Sequence, residues 1–309
     1  MKFLIVDDLH PYLLDIFEQK NITYAYEPTI APQEIAERLQ DFEAIIIRSK
    51  IHLTKEILSL NPQLQLIARA GSGLDNIDVA FAKQQNVHLI NAPEANCDAV
   101  AEHCLGMLFS LMNKIHTANS QVKQKIWRRE ANRGSELQGK TIGVIGYGHT
   151  GKAFAKRLQG LGVKVLCYDR NPEKADNFAE MTTLAHIQQE ADVISLHVSL
   201  NEDSRKMFNQ SFVEACRKPF WLLNTARGEV ADLEAVVKGL ENGKILGAGL
   251  DVLENEKLDT LSEKQEIIFQ KLVKMPNVIL TPHVAGWTQE SYLKISQVLA
   301  EKILKYLGK

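Results

Sequence analysis

The sequence predicts an α/β protein built from two doubly wound parallel-sheet domains. Short apolar runs alternate with helix-like stretches along almost the whole chain. Those runs do not alternate polar with apolar, which is how strands read when both faces of a parallel sheet are covered. At 309 residues the chain is also longer than one hydrophobic core usually supports.

Taken in order, strands are expected at 3–6, Ala44–Ile47, 64–68 and 87–90. Further strands are expected at Thr141–Ile145, Lys164–Tyr168, Val193–Leu196, 221–224, Ile245–Leu250 and Val278–Leu280. Helices fall between them at 32–39, 78–83, 153–161 and 233–242. The last of these carries Asp232 as an N-cap and Gly243 as a stop. A long apolar helix opens near Asp98. The segment Gln289–Leu307 is amphipathic, with Tyr292, Ile295, Val298, Leu299, Ile303 and Leu304 on one face. This strand-helix-strand repetition sets two units, residues 1–97 rejoined by 285–309, and residues 98–284.

Composition is that of an ordinary globular protein, 45% hydrophobic and 24% charged. A net charge of −2 argues against a nucleic-acid or anionic-membrane partner. The start of the chain lacks the apolar region of a signal peptide, and no apolar run reaches the ~20 residues of a membrane span. A cytoplasmic protein is expected. Its end at Lys309 suggests a short form without a regulatory domain. Cys97, Cys104, Cys167 and Cys216 show no CxxC pairing. Cys97 and Cys104 lie two helical turns apart beside His103, but buried thiols on one helix face explain them better than a metal, so no metal is expected. The apolar helix from Asp98 has more hydrophobic surface than one cleft needs, which points to a homodimer.

Four segments carry chemistry. Gly146-Tyr147-Gly148-His149-Thr150-Gly151 is a GxGxxG turn after one strand, and Asp169 ends the next strand 23 residues beyond Gly146. That context makes it a dinucleotide site. Gly146 allows the tight turn, Gly148 lets backbone approach a pyrophosphate, and Gly151 lets helix pack on strand. The helix N-terminus offers free N–H groups, and a carboxylate at Asp169 suits a ribose diol and repels a 2′-phosphate, favouring NAD. Arg227, in Asn224-Thr225-Ala226-Arg227-Gly228, follows a strand end and has the planar fork that grips a carboxylate. Glu254 and Glu256 follow the strand ending at Leu250, and His283 follows the strand ending at Leu280. Singly, each would read as a solvated or structural residue. Together, past strand ends of one sheet with a dinucleotide motif, they make a carboxylate binder, an acid that can pair with imidazole, and a general acid/base.

These segments, with Arg48-Ser49 and Arg69-Ala70-Gly71-Ser72-Gly73 in the first unit, resemble the D-isomer-specific 2-hydroxy-acid dehydrogenase family over essentially the whole length. The resemblance implies a flavodoxin-like substrate domain and a Rossmann NAD domain. It implies His283 as the proton acceptor at the C2 hydroxyl, Glu256 as its orienting partner and Arg227 on the substrate carboxylate. The Gly71-Ser72-Gly73 turn would offer N–H groups to that carboxylate, with Ser72 near the nicotinamide. Arg48, Ser49 and Arg69 would surround a substrate phosphate. Cofactor contacts would come from His149, Thr150, Asp169, Val198, Thr225, Ala226 and Asp251. The expected reaction is oxidation of 3-phospho-D-glycerate to 3-phosphohydroxypyruvate. The alternative is reduction of an unphosphorylated keto acid such as glyoxylate, hydroxypyruvate or pyruvate, and a non-catalytic NAD-sensing corepressor is a third possibility. The chain departs from the family pattern at Lys257 and Ser199, where proline is common, and at Trp287, where a small hydroxyl residue is usual.

Overall fold

Five parallel strands make the first sheet of the computed structural model, which describes Met1–Lys309. They are β1 (Lys2–Ile5), β2 (Thr23–Tyr26), β3 (Ala44–Ile47), β4 (Leu66–Arg69) and β5 (His88–Asn91), in spatial order β2-β1-β3-β4-β5. The chain turns outward in both directions from β1, so the gap between β1 and β3 is the topological switch point where ligands of such sheets bind. Every residue of β3 is buried, which is why its sequence is an unbroken Ala-Ile-Ile-Ile. Each such isoleucine contributes roughly 1.5–3 kcal/mol by leaving water. The two faces of the sheet hold separate cores, one around Phe3, Phe17 and Ile46, the other around Ile35, Phe42 and Ile45.

The second sheet has seven parallel strands: β6 (Thr141–Ile145), β7 (Lys164–Tyr168), β8 (Glu180–Met181), β9 (Val193–Leu196), β10 (Phe220–Asn224), β11 (Ile245–Leu250) and β12 (Val278–Leu280). Their order, β12-β11-β10-β9-β6-β7-β8, puts the switch point between β6 and β9. The compact units that result are Met1–Asn96 with Trp287–Lys309, and Cys97–Gly286. Within the first unit, the helix Gln289–Leu307 lays Ile295, Leu299, Ala300 and Ile303 against the Phe3–Phe17 core. A Thr288 cap starts this helix, and Gly308 ends it in the left-handed conformation.

Two expectations need correction. The helix expected at 153–161 is His149–Arg157, because the glycine turn itself is the start of that helix. The helix Cys97–Met112 has less surplus apolar surface than expected. Val100, Cys104, Met107, Leu108 and Leu111 are buried in the core of its own unit and only Leu105 and Phe109 of its large apolar residues stay partly exposed, which weakens the stated ground for a homodimer. No helix is long and apolar enough to cross a membrane.

Candidate active site

The glycine turn after β6 has the shape its spacing implies. Gly146 has φ +94°, and a Cβ there would lie 2.6 Å from the backbone of His197. A Cβ on Gly151 would lie 2.1 Å from the Gly146 carbonyl oxygen, so this glycine is what lets the helix seat on the strand. At Gly148 an added Cβ would meet nothing within 4 Å. The open side of the turn is therefore where His149 and Thr150 begin the helix and present its first backbone amides. These residues fit a dinucleotide pyrophosphate.

Asp169 follows β7 and accepts hydrogen bonds from the backbone N–H of Tyr147 (2.8 Å) and Asn171 (3.0 Å) and from Lys174 Nζ (2.9 Å). Burial alone would raise its pKa, but these donors outweigh burial and hold the carboxyl below the usual range. Arg170 turns away to pair with Asp203. Val198, Thr225, Ala226 and Asp251 all lie just past the ends of β9, β10 and β11, on the carboxyl edge of the sheet.

Three neighbouring strand ends carry the candidate catalytic groups. Past β10, the buried Asn224 side chain accepts from Ala226 N–H (3.1 Å) and donates to the Arg227 carbonyl (3.1 Å), fixing the turn that projects Arg227. Arg227 Nη1 donates to the Ala226 carbonyl (2.7 Å). Gly228 ends this turn because a Cβ there would sit 1.9 Å from the Leu253 carbonyl oxygen, so backbone from β10 and backbone from β11 meet at that point. Past β11 comes Glu256, and past β12 comes His283, whose Nδ1 lies 3.0 Å from Glu256 Oε2. An ionised carboxylate can only accept, so Nδ1 carries a proton, and in the neutral ring it is Nε2 that keeps the lone pair. Glu254, the other acid near this strand end, instead accepts from the Leu233 N–H and lies 3.8 Å from Lys206.

The sequence left the effect of Lys257 open. Its backbone N–H donates to Asn255 Oδ1 (3.0 Å), a bond that proline could not make, and Thr260 donates to its carbonyl. The turn beside Glu256 is thus closed by Asn255. His283 itself has φ +53°, the left-handed region that non-glycine residues seldom occupy. Asp251 holds it there. Its carboxylate, 1% exposed, accepts from Thr281 Oγ1 (2.5 Å) and from the backbone N–H of Val284 (2.9 Å) and Ala285 (2.9 Å), while its carbonyl accepts from His283 N–H (2.8 Å). The sequence suggested Asp251 as a cofactor contact and gave no sign of this second duty. His103 Nε2 lies 3.1 Å from the Thr281 hydroxyl and extends the same network, also unforeseen.

In the first unit, Arg48 follows β3 at the switch point, half-buried, with Ser49 exposed beside it. Burial draws the Arg48 guanidinium below the usual arginine range, with Asp7 and Asp8 pulling the other way. Neither acid pairs with it. Asp7 Oδ2 accepts from the Arg48 backbone N–H (2.6 Å), and Asp8 accepts from the hydroxyls of Tyr26 (3.1 Å) and Tyr292 (2.7 Å). Arg69 closes β4, and its guanidinium lies where a Cβ on Gly71 would be, at 1.7 Å. The Gly71 N–H is not available to a substrate carboxylate, contrary to expectation, because it donates to the Arg69 carbonyl (2.8 Å). The Ser72 and Gly73 amides have no backbone carbonyl partner, and the Ser72 hydroxyl donates to Asn96 (2.6 Å).

The chain and its fold are similar to those of known proteins. A family model described as D-isomer specific 2-hydroxyacid dehydrogenase, NAD binding domain, matches residues 105–285. The hydroxypyruvate reductase of Thermotoga maritima is 36% identical over 275 residues, covering 89% of this chain and 88% of that protein. The D-3-phosphoglycerate dehydrogenase of Bacillus subtilis is 35% identical over 87% of this chain, which spans only 50% of that longer protein. The solved structure of D-lactate dehydrogenase from Aquifex aeolicus, complexed with NAD and lactic acid, matches with a TM-score of 0.87 and 27% identity. That match covers 100% of this chain and 96% of the other.

Proposed function

This chain belongs to the D-isomer-specific 2-hydroxyacid dehydrogenase family, and we propose that it interconverts 3-phospho-D-glycerate and 3-phosphohydroxypyruvate. Bound NAD supplies the hydride acceptor for C2, and His149, Thr150 and Asp169 are the residues suited to hold it. In the oxidative direction the lone pair on His283 Nε2 takes the proton of the C2 hydroxyl. Glu256, on Nδ1, keeps the ring in the tautomer this requires and stabilises the imidazolium that forms. In the reductive direction the same nitrogen returns the proton. Arg227 grips the substrate carboxylate. Residues 1–97 with 285–309 serve as the substrate-binding domain and 98–284 as the cofactor domain. Ile115, Val122 and Trp127, all exposed apolar residues, support a homodimer together with the partly exposed Leu105 and Phe109.

The observation that carries the phosphate is Arg48, a half-buried guanidinium with no carboxylate within ion-pair distance. Leaving such a cation without an anion is costly, and a substrate phosphate would complete it. Ser49, the next residue, and Arg69, at the end of the neighbouring β4, would assist. A second reading, reduction of hydroxypyruvate, is favoured by the near end-to-end match to the Thermotoga enzyme. NADH oxidation measured with phosphohydroxypyruvate, hydroxypyruvate, glyoxylate and pyruvate separates the two. Losing one charged partner of a buried anion costs about 2–5 kcal/mol. Arg48→Ala should therefore raise the KM for phosphohydroxypyruvate by about thirtyfold or more, and that for hydroxypyruvate far less. Equal damage to both substrates would favour the second reading.

A further inference from the structure

We infer that Trp287 is a specificity-determining residue that positions Arg48 to receive the anionic tail of the substrate. The inference rests on the proposal that Arg48 faces that tail. Trp287 occupies a position where the family usually has a small hydroxyl residue, and bulk there would be expected to narrow the site. The contact it makes is of another kind. The Arg48 guanidinium carbon lies 3.4 Å from the centre of the Trp287 ring, in van der Waals contact with its face. Stacking on one face of a planar guanidinium leaves its in-plane N–H donors open, and those are the donors a phosphate or carboxylate uses.

The stack is braced from behind. Tyr292 meets Trp287 edge-on, with centroids 5.3 Å apart at 74°, and His10 meets Tyr292 edge-on at 5.5 Å. The Tyr292 hydroxyl donates to Asp8 Oδ2, which anchors this end of the stack to the loop after β1. Asp8 is thereby occupied, and Asp7 is occupied by the Arg48 backbone, so the aromatic face does what a paired carboxylate would otherwise do. It restrains the arginine without neutralising it. An ion pair would have quenched the charge a substrate needs. A freely rotating arginine would have to be ordered at the moment of binding, at a cost in affinity.

The test compares kcat/KM for phosphohydroxypyruvate with kcat/KM for hydroxypyruvate, taken as a ratio within each variant. Trp287→Leu, which fills space without a π face, should lower that ratio about tenfold, the change arising in KM and not in kcat. Trp287→Phe should restore most of it. In an Arg48→Ala background, Trp287→Leu should lower the ratio no further, since the residue it positions is gone. Trp287 is 44% exposed, so these variants should fold, and NADH binding checks that they do. If Arg48→Ala lowers the ratio and Trp287→Leu leaves it unchanged or raises it, Trp287 merely occupies space and the inference is overturned alone. If Arg48→Ala itself leaves the ratio unchanged, the phosphate proposal and this inference fail together.

Discussion

Asp251 should govern turnover through the loop it holds, more than through the cofactor. In Asp251→Ala, the Val284 and Ala285 amides lose their acceptor, while the Thr281 hydroxyl keeps His103 Nε2 within reach. Each buried donor left unpaired costs ~1–3 kcal/mol, so keeping residues 281–285 in place would cost about 3 kcal/mol for the two amides. Letting the loop go is cheaper. Release hydrates the donors and relieves the ~1–2 kcal/mol by which the left-handed region disfavours a residue such as His283. A 3 kcal/mol bias toward the released loop leaves roughly one molecule in a hundred with His283 in its working position, so kcat should fall about a hundredfold. Asp251→Asn keeps one oxygen for Thr281 and Val284 but turns an amide NH₂ toward the Ala285 N–H, losing one bond, and kcat should fall about tenfold. The assay is the steady-state rate of NADH oxidation with the preferred keto acid, paired with a fluorescence titration of NADH. Asp251→Ala with kcat within threefold of the parent refutes the reasoning. So does a loss confined to NADH affinity, which would make Asp251 a cofactor contact, as the family resemblance implies.

Further outcomes follow from the same contacts. His283→Ala should reduce kcat by the ~10²–10⁴-fold usual for a lost general acid/base with NADH affinity little altered, while Glu256→Gln, which keeps the shape, should cost less. An active His283→Ala enzyme would remove His283 from the chemistry. The buried His197 is lowered to about 4 by burial, whereas the unfolded side chain titrates near ~6.5. Below that upper value the unfolded chain takes a proton that the folded chain refuses, so stability falls by ~1.4 kcal/mol per pH unit from about pH 6.5 toward pH 4. Urea unfolding at pH 7 and pH 4.5 should show a smaller drop for His197→Asn than for the parent, and equal drops would mean that His197 is protonated in the fold.

How much of this was legible in the sequence depends on what each residue faces. Strands β3, β6, β9 and β11 lie inside their sheets and read as continuous apolar runs, so their bounds could be drawn from sequence alone. β2 and β8 are edge strands. Thr-Tyr-Ala-Tyr in β2 is half-exposed and β8 is two residues long, so neither leaves a hydrophobic signature. The helix after β6 was placed four residues late for a related reason. Its first turn, His149-Thr150-Gly151, has no apolar face and poor helix propensity, and is held by the close fit of Gly151 on Gly146.

The site divides along the same line. The candidate residues stand at strand ends, and parallel sheets present those ends on one edge, so Arg227, Glu256 and His283 could be picked out by position and chemical type. The residues that hold them could not. Asp251 and His103 act through hydrogen bonds to segments at least 30 residues away, which no spacing rule marks, and Asn255 closes a local turn whose sequence says nothing of the glutamate beside it. Gly228 belongs to this second group, since its missing side chain is what lets the turn after β10 touch the backbone after β11. A triad drawn from three separate strands can hold its geometry only if those strand ends are tied to one another. Gly228 ties β10 to β11, Asp251 ties β11 to β12, and the Glu256–His283 bond closes the last link. Any substitution that loosens one tie should therefore lower turnover before it lowers stability, because each tie orders a loop and none of them builds the core.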